Sequence, residues 1–187
     1  FGPSQIRLQV VSDKIIRVQA TAEQSFRNKQ SLIIVPQNSK ANYKVEEQGD
    51  NLIITTAAMR AVMNEATGQI TFYDLKDQVL LKEVAQGGKT FKPFTVPDRE
   101  IGVDIAKVPE AQKHGWSWRA LFDSPDNEAF YGLGQHQSEE LNMKGKNEDL
   151  FQYNTKVSVP FVISNKNYGI LWDSYSYCRW GNPGDYL

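Results

Sequence analysis

Period-two alternation, broken by turn signals at short intervals, is the feature that most constrains this chain. Ile6, Leu8 and Val10 alternate with Arg7 and Gln9, and beyond a turn at Ser12 and Asp13, Ile16, Val18 and Ala20 alternate with Arg17 and Gln19. Successive side chains of a strand face opposite sides of a sheet, so this alternation describes half-buried strands. Residues 32–35 are a short apolar run stopped by Pro36, and read as another strand. Tyr43 and Val45 open the next, and residues 48–51 turn the chain into residues 52–56. Residues 58–63, 70–73 and 79–81 continue the series, separated by turns at residues 64–68 and 74–77. Turns arriving about every 8 to 12 residues, with β-branched and aromatic runs between them, predict an all-β fold, a sandwich or a barrel, and an antiparallel sandwich of two sheets is the expectation carried forward. No long amphipathic helical stretch competes, and residues 108–114 read as a short helical turn.

The pattern weakens over residues 87–126, where Gly87, Gly88, Pro93, Pro97, Pro109 and Pro125 punctuate it. This region reads as long loops and edge strands. Phe91, Phe94, Trp116, Trp118, Leu121 and Phe122 make it too apolar for a disordered tether. The 187 residues are expected to form one domain, 1–187.

Composition removes several function classes. The net charge is -1, from 21 basic and 22 acidic residues, which offers a nucleic acid no electrostatic footprint. No apolar run approaches the roughly 20 residues of a membrane span. One cysteine, Cys178, excludes an internal disulfide, and with two histidines it leaves too few ligands for a thiolate zinc site. Phe1-Gly2-Pro3-Ser4 does not resemble a signal peptide, so the compartment is extracytoplasmic if a signal was removed ahead of it and cytosolic otherwise.

The informative stretch begins at Ala129. Phe130-Tyr131-Gly132-Leu133-Gly134-Gln135-His136-Gln137 is followed by a polar loop to Lys146, then by Asp149-Leu150-Phe151-Gln152-Tyr153-Asn154. Val159-Pro160-Phe161-Val162-Ile163-Ser164 and Tyr168-Gly169-Ile170-Leu171-Trp172-Asp173 complete the series. Gly132 and Gly134 let the backbone bend or approach another element closely. Pro160 is expected to open a strand, and residues 165–167 to close a hairpin. In order and spacing these four segments resemble the end of the N-terminal β-sandwich domain of family 31 glycoside hydrolases. Gln135-His136-Gln137 and Leu171-Trp172-Asp173 look most like the α-xylosidase branch.

The resemblance implies a galactose-mutarotase-like supersandwich with a non-catalytic role. Its parent would be a retaining α-glycosidase, an α-xylosidase acting on xyloglucan-type oligosaccharides. The (β/α)8 catalytic barrel of the same polypeptide, absent from this chain, would be its packing partner. An α-glucosidase parent and a free-standing carbohydrate-binding module are the alternatives. No cofactor and no metal are implied, and no catalytic residue is expected in this chain. Such enzymes require two carboxylates about 5 Å apart. Met63-Asn64-Glu65 resembles part of the family's nucleophile motif, but Ala61-Val62 precedes it, so the working Asp is missing.

The resembled family reaches over the barrel mouth with the loop before the Pro160 strand. On that basis Asp149, Gln152 and Asn154, in a loop over residues 147–154, are the candidate substrate-binding residues. Carboxylates and amides suit sugar hydroxyls; a solvated loop is the equal alternative. His136 and His114 read as structural, hydrogen-bonded histidines. Trp116, Trp118, Trp172 and Trp180 read as core or interface rather than sugar platforms. Trp172, Tyr175, Tyr177 and Trp180 are expected to form an apolar patch where the barrel docks.

Overall fold

A computed structural model describes residues 2–27, 29–35, 41–86, 88–96, 104–137 and 140–182. The described chain is almost wholly β, and every strand pairing in it is antiparallel. The strands hydrogen-bond in five groups. β1 (Gln5–Ser12) and β2 (Ile15–Thr21) form a hairpin. β3 (Tyr43–Gln48), β4 (Asn51–Thr56), β5 (Arg60–Asn64), β6 (Ile70–Tyr73) and β7 (Val79–Lys82) form a five-stranded meander in chain order. Ala61 and Ile70 are fully covered there. Side chains of β1 and of the meander, among them Ile6, Leu8, Val45 and Leu52, line an open cavity of about 780 Å³.

The weakly patterned middle is more regular than its sequence. β8 (Lys89–Thr95) and β9 (His114–Ala120) form a seven-residue ladder in which Pro93 faces Trp116. A two-stranded sheet has free edges, which is where a residue without an N–H is tolerated. Between them lie a 3-10 turn at Ile105–Lys107 and the single-turn helix α1 (Glu110–Lys113). A stack ties this hairpin to the C-terminal third: Phe91 on Trp118 at 5.9 Å, and Trp118 on Trp172 at 4.2 Å between centroids. Gly87, Pro36 and Pro97 lie outside the described residues.

The C-terminal third is built on β10 (Phe130–Gln135), β12 (Val157–Ser164) and β13 (Tyr168–Leu171), in the order β10-β12-β13. A two-stranded ladder, β11 (Glu148–Leu150) with β14 (Cys178–Trp180), packs on one face of this sheet. Phe130, Leu133, Met143 and Val162 are the buried centre, with Leu150, Tyr168, Ile170 and Trp180 packed around them. Glu128 is buried below and accepts from the hydroxyls of Ser164 and Tyr168, both at 2.6 Å. Residues 165–167 turn as expected, with Asn167 at a φ of 63°.

Three expectations are corrected. Residues 32–35 are not a strand and are all exposed. The Ser31 hydroxyl accepts from the N–H groups of Ile33 and Ile34, a local turn that competes with pairing. Pro160 lies within β12, which begins at Val157. It sits where the β10 register jumps, Gly134 facing Ser158 and Gly132 facing Val162, so its missing N–H falls in a gap of the ladder. The expected apolar patch is corrected in its members: Tyr175 and Tyr177 are exposed as expected, but the two tryptophans are not. Trp172 and Trp180 are half-buried in ring contacts, with Trp180 on Phe130 at 5.2 Å. Large apolar side chains instead stand out on the outer face of the three-stranded sheet. Tyr131, Val157, Val159, Phe161, Ile163 and Leu171 are there, 38–49% exposed. Tyr131 faces Ile163 and Phe161 faces Leu171 across the ladders, so this face is continuous.

Candidate functional site

Residues 147–154 are not one loop. Glu148, Asp149 and Leu150 are the strand β11, so their side chains alternate: Glu148 and Leu150 turn inward and Asp149 outward. Asp149 faces Arg179 across the ladder, and its Oδ1 accepts from Arg179 Nε at 3.0 Å and from the Tyr177 hydroxyl at 2.7 Å. These two donors, Tyr177 first, hold the Asp149 carboxyl below its ordinary range. The side chain is 57% exposed, and among the described residues Oδ2 has no hydrogen-bond donor. Asp149 is thus an ionised, outward-facing acceptor with one oxygen open.

Gln152 and Asn154 are exposed on the segment that folds back from β11 towards β12. Gln152 Oε1 accepts from the Ser158 N–H at 3.3 Å, which leaves its amide N–H groups to donate. Asn154 stands in the turn closed by the bridge between Tyr153 and Lys156. Among the described residues no hydrogen bond joins the Asp149, Gln152 and Asn154 side chains. Alternating with them are Phe151 and Tyr153, both exposed, whose rings lie 6.0 Å apart and tilted by 32°. Two exposed rings beside polar side chains suit a sugar, which has apolar C–H faces and polar edges. This pair was not picked out in the sequence; the signal for it was the alternation of aromatic and polar residues over 151–154.

Beneath the strand lies a buried group. Lys156 Nζ donates to Glu148 Oε1 and to the Asp149 carbonyl. His136 Nε2 donates to the Leu133 carbonyl at 2.7 Å, and its Nδ1 lies 3.1 Å from Glu148 Oε1 without making a hydrogen bond. The Leu133 carbonyl belongs to a left-handed kink, with φ of 129° at Gly132, 68° at Leu133 and 101° at Gly134. A Cβ on Gly134 would lie 2.1 Å from the Val157 carbonyl, so only glycine lets β10 approach β12 so closely.

The other sequence candidates are structural in their contacts. Asn64 Oδ1 accepts from the N–H and hydroxyl of Thr67, capping the turn that carries Glu65. His114 begins β9 and contacts Glu110 and Thr95. Asp173 pairs with Arg17 at 3.0 Å and accepts from Ser31 and Tyr175. Among the described residues no three His, Cys, Asp or Glu side chains are grouped to hold a metal, and no helix is long and apolar enough to cross a membrane.

Residues 5–180 match the family model of the glycosyl hydrolase 31 N-terminal galactose mutarotase-like domain. The chain is 25% identical over 186 residues to an alpha-xylosidase of Saccharolobus solfataricus, covering 94% of this chain and 23% of that protein. It is 26% identical over 183 residues to the "Uncharacterized family 31 glucosidase ORF2" of Pseudescherichia vulneris, covering 93% and 34%. Among solved structures, the GH31 alpha-xylosidase of Xanthomonas citri superposes with a TM-score of 0.83 at 38% identity, over 96% of this chain and 18% of that one. A GH31 alpha-xylosidase from a soil metagenome, complexed with xylose, does so with a TM-score of 0.75 at 28% identity, over 93% and 26%. The chain spans about a third or less of the length of each of these relatives.

Proposed function

Since this chain belongs to the glycosyl hydrolase 31 N-terminal galactose mutarotase-like domain family, we propose that it is the non-catalytic N-terminal domain of a retaining α-xylosidase acting on xyloglucan-type oligosaccharides. Domain 1–187 packs on the (β/α)8 catalytic barrel of the same polypeptide and lends the segment from Asp149 to Asn154 to the substrate pocket. The observation that carries this reading is Asp149 itself. Its carboxylate faces outward, is held ionised by Tyr177 and Arg179, and keeps one oxygen open among the described residues, and the exposed rings of Phe151 and Tyr153 follow it in the chain. An ionised carboxylate accepts strongly from sugar hydroxyls, and exposed rings cover the sugar's C–H face. The apolar outer face of the β10-β12-β13 sheet is the surface that the barrel covers.

An α-glucosidase parent is the second reading, favoured by the relative named a family 31 glucosidase. Turnover of 4-nitrophenyl α-D-xylopyranoside and of the matching glucoside separates the two. The full-length enzyme is expected to prefer the xyloside, and the polypeptide of residues 1–187 alone is expected to turn over neither. Turnover by residues 1–187 alone contradicts the non-catalytic role.

A further inference from the structure

We infer that His136, Glu148 and Lys156 are positioning residues that set the register of β11 and so the side on which Asp149 stands. The inference rests on the reading of Asp149 as a substrate contact. β11 and β14 share only three residue pairs, Glu148 with Trp180, Asp149 with Arg179 and Leu150 with Cys178. In β11 the apolar side chain that marks the inward face is Leu150 alone, packed at the Phe130 centre, and a slip of one residue would turn it out, Asp149 inward and Glu148 outward. Charges fixed beneath the strand oppose that slip. Glu148 Oε1 takes Lys156 Nζ and lies 3.1 Å from His136 Nδ1, with the three side chains only 18%, 8% and 6% exposed. His136 is itself held, because its Nε2 donates to the carbonyl of Leu133 in the left-handed kink. Lys156 also takes the Asp149 carbonyl, so one ammonium clamps two successive residues of β11. With Glu148 held inward by Lys156 and seated against the buried His136 ring, alternation directs Asp149 outward. None of the three needs to touch the sugar to do this.

The test is steady-state kinetics of the full-length enzyme on 4-nitrophenyl α-D-xylopyranoside, with folding of each variant checked by its melting temperature. His136→Ala and Glu148→Ala are expected to raise KM roughly tenfold and to leave kcat within about threefold, the pattern of lost uniform binding. Glu148→Gln is the rescue. Its amide oxygen accepts from Lys156 and its N–H donates to His136 Nδ1, so KM returns close to the parent value. In an Asp149→Ala background, His136→Ala should add little, because both changes remove the same contact. Full additivity, failure of Glu148→Gln to rescue, or an unchanged KM in folded His136→Ala and Glu148→Ala beside a raised KM in Asp149→Ala overturns the positioning role alone. An unchanged KM in Asp149→Ala overturns the pocket reading and the positioning role with it.

Discussion

Gly134→Ala isolates what the kink of β10 contributes. Gly134 has a φ of 101°, and an added Cβ would lie 2.1 Å from the Val157 carbonyl and 2.9 Å from the Val159 N–H. The backbone conformation costs an L residue about 1–3 kcal/mol. The clash is with backbone atoms, so it is relieved only by moving β12, at about 1–3 kcal/mol more. Gly145 is the control, with a φ of 71° and nothing within 4 Å of its added Cβ, so Gly145→Ala costs about 1–2 kcal/mol from backbone conformation alone. At about 2–4 °C per kcal/mol for a chain of this size, the central value of about 4 kcal/mol for Gly134→Ala should lower the melting temperature of residues 1–187 by roughly 8–16 °C, and the cost of Gly145→Ala should lower it by roughly 2–8 °C. Thermal unfolding followed by circular dichroism reads both. Equal shifts for the two variants would refute the close-approach reasoning. So would a Gly134→Ala protein as stable as the parent.

Glu83→Ala leaves Lys89 buried without its carboxylate and removes the acceptor of the Ile70 N–H, so urea unfolding should show a loss of about 3–5 kcal/mol. Glu83→Leu with Lys89→Met should recover most of it, and a single variant costing under about 1 kcal/mol contradicts the pair's role. In the proposed role Asp149 accepts from sugar as a carboxylate, and its carboxyl is held low first by Tyr177 and then by Arg179. Affinity is therefore present above the folded-state pKa of Asp149 and lost as pH falls through it. Tyr177→Phe should move that acid limb of kcat/KM to higher pH, and an unmoved limb would remove Tyr177 from the account. Ile163→Glu places a charge on the apolar outer face opposite Tyr131. Calorimetry of the full-length enzyme should then resolve a separate, earlier transition for this domain, whereas an unchanged single transition would mean that nothing docks there.

The strands were legible because their signals are local. Alternation over residues 6–10 and 16–20 and the β-branched run over residues 52–56 are each visible in a few residues, and the hairpin at residues 165–167 carries its own turn chemistry. What was not legible depends on partners far along the chain. β11 and β14 are three residues each and lie about thirty residues apart, so neither has a period to read. Asp149 therefore looked like a loop residue, although its outward direction comes from strand alternation. Pro160 looked like a strand start because the gap that admits it is made by Gly132 and Gly134 on another strand. Residues 32–35 looked like a strand because their apolar pattern does not reveal the competing Ser31 hydroxyl. The burial of Glu83 with Lys89, and of Glu148 with Lys156, joins charged residues that no short sequence pattern marks as partners.

Asp149 is proposed to bind substrate in the parent enzyme and to take no part in bond cleavage. Asp149→Ala removes a charged acceptor, and a hydrogen bond to such a group is worth about 1.5–3 kcal/mol. At about 1.4 kcal/mol per decade, KM of the full-length enzyme for a xyloglucan oligosaccharide should rise roughly ten- to a hundredfold, with kcat nearly intact. A fall in kcat of several decades would make Asp149 part of the chemistry, and kinetics identical to the parent's would leave β11 outside the substrate pocket.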